Sequence, residues 1–274
     1  MHASLLFSRL SINKRLTARV SFLYSCLLVM KIHTIQNSLV AILALATSLS
    51  TYAGQRRFSY SYEVTTAPRG AFELETSTTW KHSSDGDVFD FRHELEIGLT
   101  DHLQLGLYLA DWSYERHDGA HYANSGAELI WNLSNPTTDF LGSAVYFEAL
   151  FGDHQLELEG KLLLQKNLGP VTLAYNLILE AAWEGRGLSE RRGEFAQTLS
   201  VSYDLNKHFS VGAEFLHEID IPDWSEGEKS VLWFGPNASL RYGRFFATAT
   251  GLFRTTGNEG EADVQTRLIV GFDF

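Results

Sequence analysis

Side chains along the closing stretch Asp263–Phe274 alternate with a period of two. Val264, Thr266, Leu268, Val270, Phe272 and Phe274 fall on one face; Gln265, Arg267, Gly271 and Asp273 fall on the other, with Ile269 the one large apolar residue among them. A period of two is the signature of a strand with one apolar face. The pattern recurs from residue 71 onward, predicting strands at 71–81, 88–99, 102–112, 121–133, 140–151, 155–166, 171–183, 194–205, 208–220, 230–242, 244–254 and 263–274. No helical period and no second domain interrupt it. The connections fall into two sets. Thr100-Asp101, 135–139, 167–170, Asn206-Lys207 and Tyr242-Gly243 are tight and made of turn residues. The alternate gaps at 82–87, 113–120, 184–193, 221–229 and 255–262 are longer and polar, with the short gap 152–154 the exception.

A chain that closes on such a strand, with phenylalanine last, resembles the Gram-negative outer-membrane β-barrels. The resemblance implies an all-β fold, an antiparallel transmembrane up-and-down barrel of about 12 strands over residues 71–274, with apolar side chains facing outer-membrane lipid and polar ones facing the interior. It also implies that Phe272 and Phe274 form the signal read by the barrel-assembly machinery, and that the protein resides in the cell outer membrane. Short turns then belong to the periplasmic side and long loops to the outside. An even strand count leaves 54–70 as a periplasmic or lumenal lead-in, although Phe58–Val64 also alternates. The run Tyr62-Glu63 … Ala67-Pro68-Arg69-Gly70-Ala71-Phe72-Glu73-Leu74-Glu75 resembles the opening of a group of uncharacterised outer-membrane barrels.

Upstream, Met30 offers a second start. Lys31, the apolar stretch Ser38–Leu49 and Ala53 follow it as the parts of a secretory signal peptide over 30–53, with 1–29 an extension before it. The rival reading, a lipoprotein signal anchored at Cys26, has a poor motif in Leu23-Tyr24-Ser25-Cys26. Cleavage after Ala53 removes the one cysteine, and with it any disulfide or thiol chemistry. It also removes five basic residues and no acidic ones. That leaves 17 Lys and Arg against 33 Asp and Glu, a net charge of −16. Such a balance excludes nucleic acid as a partner.

A secreted β-sandwich has the same alternation with its apolar face inside. Trp80, Trp112, Trp131, Trp183 and Trp233, near predicted strand ends, favour a membrane girdle. On that register the lumen is lined by Arg92, Glu94, Glu96, Glu128, Glu157 and Glu159 from the first half of the chain. Lys161, Glu180, Glu214, Glu218, Arg241 and Arg267 continue the lining. An acidic lining favours cations, so the expected function is a narrow channel for small solutes with a cation-preferring lumen. The alternative is a closed structural or binding barrel whose paired charges plug the bore.

The third reading is a membrane-embedded hydrolase. No His-x-Ser-Asn-Gly stretch of the outer-membrane phospholipase type is present. His93 and His217 fall on predicted lipid-facing sides. Asp85 and Asp87 in one loop, with His117, Asp118 and His121 in the next, are the residues a protease of the omptin type, or a divalent cation, would need; solvated loops are rich in the same types. No catalytic residue, metal or cofactor is assigned.

Overall fold

The computed structural model describes residues 56–116, 118–257 and 260–274. The expected extension 1–29 and signal peptide 30–53 lie outside the described residues, as does His117. The strands are β1 (Phe72–Ser83), β2 (Gly86–Thr100), β3 (Leu103–Tyr108), β4 (Trp112–Glu115), β5 (Gly119–Tyr122), β6 (Asn124–Ser134) and β7 (Gly142–Gly152). They continue with β8 (Gln155–Leu168), β9 (Val171–Glu184), β10 (Glu190–Asp204), β11 (Phe209–Pro222), β12 (Val231–Tyr242), β13 (Phe245–Arg254) and β14 (Val264–Asp273). Every pairing is antiparallel. β1 pairs with both β2 and β14, so the sheet closes on itself.

The predicted strand 102–112 is broken at 109–111 into β3 and β4, and 121–133 is broken at Ala123 into β5 and β6. The hairpin β4–β5 takes up most of the predicted loop 113–120. These four pieces make two staves, and the barrel has twelve. The break is a bulge: β3 pairs Tyr108 with Glu94, while β4 pairs Trp112 with Phe91, one residue out of step. The extra residue lets Trp112 follow Phe91 to the outer wall and sends Asp111 inward, where it accepts a bond from Arg92 Nε at 2.7 Å.

Outward positions carry exposed apolar side chains all round the barrel, among them Leu129, Phe147, Leu179, Leu199, Phe234 and Leu268. Inward positions are mostly small, polar or charged, with a few large apolar residues such as Ile130, Leu163, Leu216 and Leu252 among them. Many are buried, while Glu157, Glu159, Glu180, Glu194 and Glu218 towards the loops are half-buried. Apolar residues cover the outside and polar groups fill the centre, the inverse of a soluble sandwich. The strand 244–254, ambiguous by sequence, turns Phe246, Thr248, Thr250 and Leu252 inward. Phe272 faces out, its ring 5.3 Å from that of Phe274, whose N–H donates to the Phe72 carbonyl at 2.9 Å.

Trp80, Trp112, Trp131 and Trp183 stand on the outer wall, whereas Trp233 corrects the expectation. It is 1% exposed, faces the interior and packs with Tyr60, Leu216, Val231 and Leu252. Its indole N–H donates to the Ala262 carbonyl at 3.0 Å, a partner that makes the buried position tenable. His93 and His217 do face outward. Thr76 Oγ1 lies 3.1 Å from His93 Nδ1, and His217 packs edge-on against Phe195.

The outer wall gives a discriminating prediction. Phe147 is 63% exposed at the middle of β7. Phe147→Arg should cost ~2–4 kcal/mol in folding equilibria measured in phospholipid vesicles, because a cation at mid-bilayer depth is expensive. A change within about 0.5 kcal/mol, as at an ordinary wet surface, would contradict a lipid-facing wall.

Candidate functional site: a strapped, acid-lined lumen

Residues 56–70 enter the lumen and circle its wall before joining β1. The Arg56 carbonyl accepts from Thr248 Oγ1 on β13 at 2.6 Å, and the Arg57 carbonyl accepts from Asn237 Nδ2 on β12 at 2.8 Å. Ser61 Oγ bonds Thr198 and Ser200 on β10. Asn176 on β9 takes both backbone groups of Tyr62, accepting from its N–H at 2.6 Å and donating to its carbonyl at 3.0 Å. Val64 is held the same way by Gln165 on β8 and Asn132 on β6 (2.8 and 2.7 Å), and the Ala67 N–H donates to Gln104 on β3 at 2.7 Å. An extended segment with no strand beside it must find side-chain partners for its backbone. Inward-facing amides on the wall supply them.

Glu214 on β11 is the strongest fastening. Its carboxylate accepts from three successive backbone N–H groups, Ser59, Tyr60 and Ser61, at 2.9, 2.9 and 3.0 Å, and from Thr250 Oγ1 at 2.5 Å. Sequence reasoning placed Glu214 on the lining of the bore; it is 0% exposed beneath the strap. It anchors the strap. Two apolar nests complete the attachment: Tyr60 in the Trp233 cluster, and Val64 against Ile130, Ala144, Tyr146 and Leu163. Along the strap, burial pushes the Glu63 carboxyl up in spite of Arg57 Nη1 3.1 Å away, and pushes the Tyr60 phenol up to about 12.

The wall carries a second pattern that runs across the strands. Following the cross-strand register from β14, the row reads Asp273, Glu73, Glu96, Gly106, Glu128, Glu148, Glu159, Glu180, Glu194 and Asp220, one residue from each of β14, β1, β2, β3, β6, β7, β8, β9, β10 and β11. Nine of the ten are carboxylates. Because barrel strands tilt, such a row climbs as a spiral. It starts at the short-turn end, at the last residue of β14 and the second of β1, and finishes near the long-loop end of β11. Directly opposed like charges destabilise a sheet, so an unbroken run of them needs compensation. Arg241 bonds Asp273, Arg92 reaches Glu148 at 3.4 Å, Lys161 Nζ reaches Glu159 at 2.8 Å and Arg192 reaches Glu180 at 3.2 Å. Arg56 of the strap bonds Glu75 at 2.7 Å and stands 3.9 Å from Glu96.

Above the strap a cavity of about 490 Å³ opens among the long loops, reaching Ser83, Gly86 and Glu261. Its floor includes Tyr60 and Tyr62, with Arg267 4.3 Å from the Tyr60 ring and Lys161 4.2 Å from that of Tyr62. Glu157, Glu159, Glu194 and Glu218 stand on its walls, and carboxylates outnumber basic groups in the lining by seven to five. Below the strap a cavity of about 70 Å³ is lined by Thr65, Ala67, Glu73 and Glu96. Tyr62 borders both spaces, so it is the partition between them.

Among the other residues expected in the lining, Arg92 and Glu94 border a further cavity of about 240 Å³, and Arg241 is buried beside Phe246 and Asp273. The wall amides and the spiral went unrecognised in the sequence. The first are neutral, and the second becomes visible only when the register is known. In the loops, Asp87 is engaged within its own hairpin by Trp80 and His82, and His121 on β5 stands opposite Ser113.

A closed antiparallel wall, greasy outside and charged within, defines a transmembrane β-barrel of the outer-membrane type. The chain belongs to the family of unknown function DUF6662, whose model matches residues 50–268. No curated protein matches the sequence. Among solved structures it is similar to the COG4313 outer membrane channel from Pseudomonas putida F1, at 15% identity and a TM-score of 0.53 over 79% of this chain and 100% of that one. It is also similar to the NanC porin, at 10% identity and a TM-score of 0.53 over 73% of this chain and 98% of that one.

The strap's fastening is testable. Glu214→Ala strands three buried N–H groups, each worth ~1–3 kcal/mol when left unpaired. The melting temperature should fall and trypsin should cut after Arg56 or Arg57 in the folded barrel, while Glu218→Ala leaves both readouts near wild type. Equal protection of the strap in both variants would contradict the role given to Glu214.

Proposed function

We propose that the protein is an outer-membrane channel for small cations, with the acidic spiral as the path they follow and the strap as its constriction. One observation supports this above the rest: nine carboxylates share one register row from one rim towards the other. Directly opposed positions in the row repeat the same sign, and basic groups that bond it, such as Lys161 and Arg192, stand in the neighbouring row. A cation moving along such a row passes between acidic side chains whose Cβ atoms are about 5 Å apart across each strand pair, close enough to hand it on without full dehydration.

Recordings of the refolded protein in planar lipid bilayers test the reading. Under a KCl gradient the reversal potential should report cation preference. Glu159→Gln with Glu180→Gln should move that preference towards unity, because Lys161 and Arg192 then stand uncompensated. Anion preference in the wild type would overturn it.

A second reading, a permanently closed barrel, is favoured by Tyr62, which separates the two cavities. Tyr62→Ala decides between them. It should raise single-channel conductance about twofold or more if the ring sets the resistance of the path. Silence from both the wild type and Tyr62→Ala would establish the closed barrel.

A further inference from the structure

We infer that Glu94, Glu96 and Glu128 form a binding site for a calcium-sized divalent cation. The three carboxylates come from β2 and β6 and meet over β3. Each offers an oxygen within 4.8 Å of the others. That span fits one hydration-shell-sized sphere: Ca²⁺–oxygen bonds are about 2.4 Å, so ligands on opposite sides of the ion stand about 4.8 Å apart.

The site is built. Glu94 is 2% exposed and Glu128 1%, and both Glu94 Oε1 and Glu128 Oε1 are buried with no hydrogen-bond partner. The other oxygen of Glu128 is occupied by the Tyr108 hydroxyl, which leaves Oε1 directed to the cluster. The rung of the spiral between Glu96 and Glu128 is Gly106, and a Cβ there would lie 2.1 Å from Glu94 Oε1 and 2.5 Å from Glu128 Cγ. A side chain at 106 would fill the space in which the carboxylates converge. Among the described residues no basic group forms an ion pair with Glu94 or Glu128; Arg56, 3.9 Å from Glu96, is committed to Glu75 at 2.7 Å. Buried charge of one sign must be compensated, and an all-carboxylate oxygen set selects a hard cation. Access exists: Glu94 borders the 240 Å³ cavity and Glu96 the 70 Å³ one, so water ligands and an entry route are available.

The inference does not depend on conduction, and its test reads binding alone. Tb³⁺ added to the refolded full chain in detergent should give one saturable phase of tyrosine-sensitised emission, through Tyr108, displaced by Ca²⁺ at micromolar to millimolar concentrations. Glu94→Gln and Glu128→Gln, isosteric changes, should each weaken the apparent affinity about tenfold or more. Glu180→Gln with Glu194→Gln, on the same spiral but remote from the site, should change it less than about twofold. In the unmutated chain, Ca²⁺ should raise the melting temperature relative to EGTA, a readout that needs no variant. Absence of saturable emission together with no calcium-dependent melting shift would overturn the site and assign the compensation to protons. Equal weakening by both sets of variants would overturn it in favour of diffuse screening along the spiral.

Discussion

Hydrocarbon offers no partner to a backbone N–H or C=O, so a strand in a bilayer must give every such group to a neighbouring strand. That requirement is met here by the pairing of β1 with β14. It brings the last stretch of the chain back to the first strand and leaves no open edge. The same rule recurs inside the barrel in another form. The strap lies at lumen depth without strand neighbours, and its backbone is bonded one group at a time by Gln104, Asn132, Gln165, Asn176, Glu214 and Asn237. The wall thus performs for the strap what the strands perform for one another.

Closure also creates the acidic spiral. In an open sheet a row of opposed carboxylates would be an isolated stripe. Strand tilt makes it climb through the lumen from the short-turn rim towards the loops. Its cost is moderated by basic groups one row away, such as Lys161 beside Glu159 and Arg192 beside Glu180. These pairs are only partly buried at the loop end, where water shares the work of screening. Nearer the short-turn end the carboxylates are buried more deeply, Glu94, Glu96 and Glu128 among them. There the protein's own cations run short, and the electrostatic demand is greatest.

The wall was legible from period-two alternation because lipid and water impose opposite demands on successive residues. Leu156 and Leu158 against Glu157 and Glu159 need no tertiary information. The bulge at 109–111 was not legible, since one inserted residue changes register without changing composition. Trp233 misled because tryptophan near a strand end suits an interface and, with Ala262 to accept its N–H, suits the interior as well. The strap was legible only in part: an even strand count sets 54–70 apart as a periplasmic or lumenal lead-in, but does not reveal what holds it. Phe58–Val64 reads as a strand by alternation, yet its partners are side chains and not a ladder. Inward acidity was visible residue by residue, but that Glu96, Glu128, Glu159 and Glu180 belong to a single row follows only from the pairings.

The strap divides into parts that resist motion to very different degrees. Lifting all of it from the wall would break the Glu214 cluster and the amide bonds, each worth ~0.5–1.5 kcal/mol net and more for those to a carboxylate. It would also expose Tyr60 and Val64 from nests worth ~1.5–3 kcal/mol apiece. Turning the Tyr62 ring alone gives up its contact with Tyr146 at 5.0 Å and its cation–π contacts with Lys161 and Arg56. Those are worth ~0.5–2 kcal/mol each, and the Tyr62 backbone stays bonded to Asn176 throughout. The low-cost change at the constriction is therefore a side-chain rotation and not a release of the segment. The fastenings at Glu214 and Val64 lie on either side of Tyr62 along the strap, so they hold fixed the backbone about which that ring turns.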